Sequence, residues 1–167
     1  MIENFTYGVD LFNNSLAGTI FHNPVAHHYN QTLKVFTPSD DKPEWNIEGL
    51  IPVKIQTEVS SCDLVKFVER GGDGTKPNML VVAPISGHYA TLLRGTVERL
   101  SKDYTVFVTD WKNVRDHPEL KDFNLDDYSL DIYYLCFHIG DAHILAVCQS
   151  TIPVLRMMCV DPLDSIK

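Results

Sequence analysis

The stretch His143-Ile-Leu-Ala-Val-Cys-Gln-Ser-Thr-Ile-Pro-Val-Leu155 constrains this chain more than any other. Ile144 to Val147 are apolar and β-prone and too few for a helix, so they read as a strand buried on both faces. From Gln149 to Val160, apolar residues recur at Ile152, Leu155, Met158 and Cys159, which is helical spacing. Cys148 stands at the junction. A nucleophile elbow needs a sharp strand-to-helix turn, which lifts its side chain clear of the sheet and lets the next N–H help bind an oxyanion. The positions two before and two after are crowded by the turn and must be small; here they are Ala146 and Ser150. The glycines of G-x-S-x-G are absent. A cysteine that merely packs in the core is the competing reading of Cys148, because free cysteine is among the most buried residue types.

The rest of the chain must supply a sheet for that strand. Its 167 residues and 44% hydrophobic content fit one globular domain with a sizeable core. The net charge of −8 leaves no basic footprint for nucleic acid or an anionic membrane. Cys62, Cys136, Cys148 and Cys159 form no C-x-x-C, so neither a disulfide framework nor a metal site is expected, and no cofactor is implied. Cys136 and Cys159 fall on helices and read as core. No apolar run approaches the roughly 20 residues of a membrane span, and Glu3 and Asp10 do not fit a secretory leader. A cytoplasmic setting is therefore expected.

Phe5, Val9, Phe12, Leu16 and Ile20 predict one amphipathic helix, and Val25, Tyr29, Leu33 and Phe36 a second, stopped by Pro38. These helices and a polar linker make up residues 1–42, and the main domain runs over 43–167. Val53 to Val59 alternates strictly, the mark of a half-buried strand, and Leu64 to Val68 returns it as an antiparallel hairpin. Gly71-Gly72-Asp73-Gly74 reads as a turn. Buried strands are predicted at 79–84, 104–109 and 143–147. A helix follows at 90–101, with Leu93, Val97 and Leu100 inward. Another begins after Asn124 as N-cap, with Asp127 favouring its N-terminus, Leu125, Tyr128, Ile132, Leu135 and Ile139 along one face, and Gly140 as its stop. Such alternation makes an α/β fold, a mostly parallel sheet with a leading hairpin and helices on both faces. Ligands in such sheets bind beyond the carboxyl ends of the strands, here Pro84 to Tyr89, Asp110-Trp111 and Cys148. Asp110 and Trp111 could floor a pocket there or simply end a strand.

The run Leu80-Val-Val-Ala-Pro-Ile-Ser-Gly-His-Tyr-Ala-Thr-Leu-Leu-Arg-Gly-Thr-Val-Glu98 resembles the intracellular polyhydroxyalkanoate (poly-3-hydroxybutyrate) depolymerases. So do Val108-Thr-Asp-Trp111, Phe123-Asn-Leu-Asp-Asp-Tyr128 and Ala146-Val-Cys-Gln149 with Pro153-Val154. The resemblance spans about Pro43 to Leu155. It implies an α/β-hydrolase fold and a Cys–His–Asp triad with Cys148 as nucleophile. The implied substrate is stored polyester or hydroxybutyrate oligomers, at granules in bacterial cytoplasm. Gln149 would give one oxyanion N–H, and the loop after the Met79 strand the second, at Ile85 or Ser86. Gly87, His88 and Trp111 would line the substrate, although Ser86-Gly87-His88 also reads as a tight polar turn.

Ser150 departs from the family, where many members carry Pro. The larger departure follows from chain order, in which the acid and the histidine come after the nucleophile. The sequence stops about twenty residues past Cys148, so both are expected to be missing. Asp161 and Asp164 lie too close to the elbow, and His88, His138 and His143 precede it. The expected fold is thus a partial α/β hydrolase, truncated after the elbow. The expected function is that of a depolymerase fragment, inactive until a separate C-terminal half joins it. A non-catalytic remnant or a polyester-granule-binding module is the alternative.

Overall fold

A computed structural model describes residues 42–72, 74–85 and 89–160. The chain divides between Lys42 and Pro43, and the described architecture belongs to the part from Pro43 onward. The two N-terminal helices of the sequence reading lie outside the described residues.

Five strands form one mixed sheet in the order β1-β2-β4-β3-β5. Strand β1 (Leu50–Ile55) and β2 (Cys62–Glu69) make the leading antiparallel hairpin, with Val53 opposite Lys66 and Ile55 opposite Leu64. Strand β2 then pairs antiparallel with β4 (Thr105–Trp111). Strand β3 (Asn78–Val82) lies between β4 and β5 (Ala142–Ala146) and is parallel to both. The predicted strands are all present, displaced by one to four residues at their ends. The hairpin strand is the largest shift, starting at Leu50 and stopping at Ile55 rather than running from Val53 to Val59.

Period-two alternation divides the core into two layers, one on each face of the sheet. Cys62 and Leu64 of β2, Leu80 and Val82 of β3 and Phe107 of β4 face one way. They meet Ile132, Leu135 and Cys136 of α2 (Leu125–Ile139) and Val154 and Met157 of α3 (Thr151–Val160). The intervening residues Val65, Phe67, Val81, Val106 and Val108 face the other way. They pack against Leu93 and Val97, the latter on α1 (Arg94–Leu100). Strands that bury both faces carry apolar residues at consecutive positions, which explains the unbroken run at 79–83. Residues 144–147, expected to be buried on both faces, are only half-buried, because β5 lies at an edge of the described sheet.

Helix α2 starts as its sequence predicts. The Asn124 side chain accepts from the Asp126 N–H at 2.8 Å, and Asp127 accepts from the Asn124 N–H at 2.8 Å, closing a capping box. Gly140 ends it at φ 78°, a conformation glycine adopts without strain. The predicted helix at 90–101 begins as a 3-10 turn over Ala90–Leu93 before α1 proper.

Three sequence expectations are corrected. In β1, Val53 is 39% exposed, because the strand forms the outer edge of the sheet and carries Pro52, which edges tolerate. In α3 the buried side is Pro153, Val154 and Met157, whereas Ile152, Leu155 and Met158 face outward. Apolar residues occur almost all round this helix, so spacing alone does not single out the inward side. Cys159 is exposed rather than core, while Cys136 is buried as expected.

Candidate active site

The elbow is built by keeping the chain in sheet register up to the last possible residue. Val147, just past β5, is still extended at φ −111° and ψ 121°, and its N–H bonds the Val82 carbonyl at 3.1 Å. Cys148 then turns to φ 59°, in the left-handed region. A 3-10 turn over Cys148–Ser150 leads directly into α3. The Thr151 hydroxyl donates to the Cys148 carbonyl at 2.7 Å and fastens this first turn. Among the described residues, the other non-glycine with positive φ is Asn46. Cys148 is exposed, so the competing reading of a packed core cysteine does not hold.

Beneath Cys148 the crowding expected of an elbow is visible. Ser150 is fully buried, and its hydroxyl donates to the carbonyl of Ala83, the residue that follows β3. The Ala83 carbonyl also accepts from the Trp111 indole N–H at 2.8 Å. The Ala83 N–H in turn donates to the Thr109 hydroxyl at 2.9 Å. The ends of β3 and β4 and the elbow are therefore joined through one buried backbone unit.

Gln149 is exposed on the turn immediately after Cys148, where its N–H belongs to the first turn of a helix. Ile85 is half-buried on the loop after β3. Ser86, Gly87 and His88 lie outside the described residues. Trp111, expected among the substrate-lining groups, is half-buried at the end of β4 and stands edge-on to Tyr128 of α2, with ring centroids 5.1 Å apart. Thr109, Ala83 and the hydroxyl of Ser150 were not singled out by the sequence. A hydroxyl where the elbow needs only smallness was the one available signal.

The thiols separate sharply. Burial pushes the Cys62 thiol far up, reinforced by the nearby Asp131 carboxylate, and burial pushes Cys136 up to about 12. Burial thus disfavours the thiolate form of both. Cys148 and Cys159 are the exposed pair. His143 is the second residue of β5, roughly 16 Å of strand away from Cys148, and packs edge-on against Tyr104. Between Gln149 and Val160 the sequence contains no Asp, Glu or His. No group of three or more His, Cys, Asp or Glu among the described residues could hold a metal. A cleft of about 140 Å³ opens at the opposite end of the sheet, near Asn78, Ser101 and Thr105, away from the carboxyl ends of the parallel strands.

Strand order, the leading hairpin and the strained residue between β5 and α3 define the sheet of an α/β hydrolase, here in part. Solved structures agree. The chain is similar to a proline iminopeptidase-related protein from Thermus thermophilus, with TM-score 0.50 and 18% identity over 68% of this chain and 41% of that one. It is also similar to a carboxylesterase from Bacillus subtilis, with TM-score 0.50 and 10% identity over 83% of this chain and 45% of that one. The chain thus spans less than half the length of either. No family model and no curated protein matches the sequence. Among the described residues no helix is long and apolar enough to cross a membrane.

Proposed function

We propose that this chain is the nucleophile-bearing part of a carboxylic ester hydrolase of the polyhydroxybutyrate depolymerase type. The observation that carries the reading is the exposed Cys148 at φ 59° between β5 and α3, over a buried small residue. A strained non-glycine at such a turn persists only where the surrounding structure enforces it. The Cys148 thiolate would attack the ester carbonyl, with the Gln149 N–H and an N–H of the loop at Ile85 or Ser86 receiving the oxyanion. The hydroxybutyrate alcohol would leave, and water would release the acyl group from the thioester.

A base and its acid partner are needed for turnover, because an unassisted thiol is a poor nucleophile near neutral pH. In this fold both follow the nucleophile on later strands. We infer that they come from a polypeptide segment that pairs with β5, which lies at one edge of the described sheet. The exposed apolar residues Ile152, Leu155 and Val160 of α3, at 59%, 56% and 69%, fit a helix meant to be covered by such a segment. The same row favours a second reading, a non-catalytic module that lies on polyester granules in the cytoplasm.

The test is hydrolysis of a 3-hydroxybutyrate oligomer by the purified chain and by Cys148→Ala. The expected result is a single acyl group on Cys148 per chain, without turnover, and none on the variant. Robust turnover abolished by Cys148→Ala would place a base within this chain, with His88 the first residue to test. Absence of any acyl-Cys148 would refute the nucleophile and leave the granule-binding reading.

A further inference from the structure

We propose that Trp111 and Ser150 are positioning residues for the oxyanion-binding loop, acting through the carbonyl of Ala83. The inference rests on the reading of Cys148 as an acyl-accepting nucleophile and adds the device that sets the second oxyanion donor. Ala83 is fully buried and held at both polar atoms. Its N–H donates to the Thr109 hydroxyl, and its carbonyl accepts from both the Trp111 indole and the Ser150 hydroxyl. A carbonyl has two lone pairs, and two donors saturate it.

The covalent chain converts this clamp into a position. The Ala83 carbonyl lies in the plane of the Ala83–Pro84 peptide, so fixing the oxygen fixes that plane. Pro84 has its φ locked by the ring and has no N–H to offer. The first donor the loop can present is therefore the N–H of Ile85, and one soft torsion, ψ of Pro84, separates it from the clamped plane. The Trp111 end of the clamp is itself anchored by the edge-on contact with Tyr128 on α2. The Ser150 end lies two residues past the nucleophile. Donor loop and thiol are thus referred to a common carbonyl, and the separation between them is held from both sides.

The distinguishing experiment compares two reactions of the same thiol, in a Cys159→Ala background that leaves Cys148 as the exposed cysteine. In the first, the Cys148 thiolate attacks the carbonyl of p-nitrophenyl butyrate. The C–S bond forms, the C–O bond breaks, and p-nitrophenolate leaves with the electron pair, the thiol proton having gone to buffer. This step passes through an oxyanion. In the second, iodoacetamide alkylates the thiolate by displacement of iodide, with no oxyanion. Trp111→Phe keeps an aromatic ring against Tyr128 but deletes the donor. Ser150→Ala deletes the other donor with a minimal change of volume and guards against a variant that fails to fold. Misplaced donors should slow acylation about tenfold in each variant and more in the double variant, against the roughly 10²–10³ of outright donor removal. Alkylation should stay within about twofold. Acylation and alkylation falling together, or acylation unchanged in both variants, would overturn the positioning role. A parent protein that acylates no faster than N-acetylcysteine would overturn the oxyanion site itself and the positioning role with it.

Discussion

Replacing Cys148 by glycine should make the protein more stable, although it removes the proposed nucleophile. Cys148 holds φ 59°, and a left-handed conformation costs a non-glycine residue roughly 1–2 kcal/mol. Glycine removes that cost, while its freer unfolded chain costs about 0.4–1 kcal/mol. The side chain is exposed, so little burial is lost. Relative to Cys148→Ala, which keeps the strain and equally lacks the thiol, Cys148→Gly should gain about 0.5–1 kcal/mol. With an m-value of about 2 kcal/mol per molar urea, the midpoint should rise by about 0.3–0.5 M. Urea unfolding followed by fluorescence of Trp45 and Trp111 reads the difference directly. At an ordinary helix or strand position the sign is reversed, with glycine about 0.5–1 kcal/mol worse than alanine. A glycine variant less stable than the alanine variant would therefore refute the strained elbow.

Asp131 accepts the Ser61 hydroxyl, and burial holds its carboxyl above the ordinary 3.8. The folded state therefore keeps this proton to higher pH than the unfolded state, and the contribution of the group to stability declines as pH rises from 3.8 through the raised value. Asp131→Asn should be more stable than the parent at neutral pH, by less than about 1 kcal/mol for a half-buried group, with the difference closing as pH falls towards 3.8. Urea midpoints across that range check it, and a gap that widens at low pH contradicts the assignment. The β5 edge, which no other described strand covers, and the apolar row of α3 should make the chain self-associate. Ile152→Lys with Leu155→Lys should raise the monomer fraction in light scattering without lowering the melting temperature, and a parent that is already monomeric would refute the expectation.

The elbow was legible because its constraints are local. A short apolar run, a helical pattern and small residues at Ala146 and Ser150 lie within a few positions of Cys148. The cap of α2 was legible for the same reason, with Asn124 and Asp127 three residues apart. What escaped was set by distant contacts. The bonds that Ala83 makes to Thr109 and Ser150 join residues 26 and 67 positions apart. The exposure of β1 depends on its place in the sheet rather than on its alternation. The inward side of α3 depends on which residues α2 and β3 present to it, and an almost wholly apolar helix leaves that choice to its neighbours.

If Cys148 is the nucleophile proposed above, the place of β5 at an edge of the described sheet would make assembly and chemistry a single event. Any strand that adds in parallel to β5 lies about 4.8 Å to the side and points the same way. Its carboxyl end then arrives level with Cys148, and the loop that follows it falls beside the thiol. The contact that would cover this edge would thus also deliver new side chains to the proposed reaction centre. On the proposed reading such a sheet would act as a coincidence detector, with catalysis reporting that it has been extended. Turnover would then measure occupancy of an edge, and ester hydrolysis becomes an assay for strand pairing.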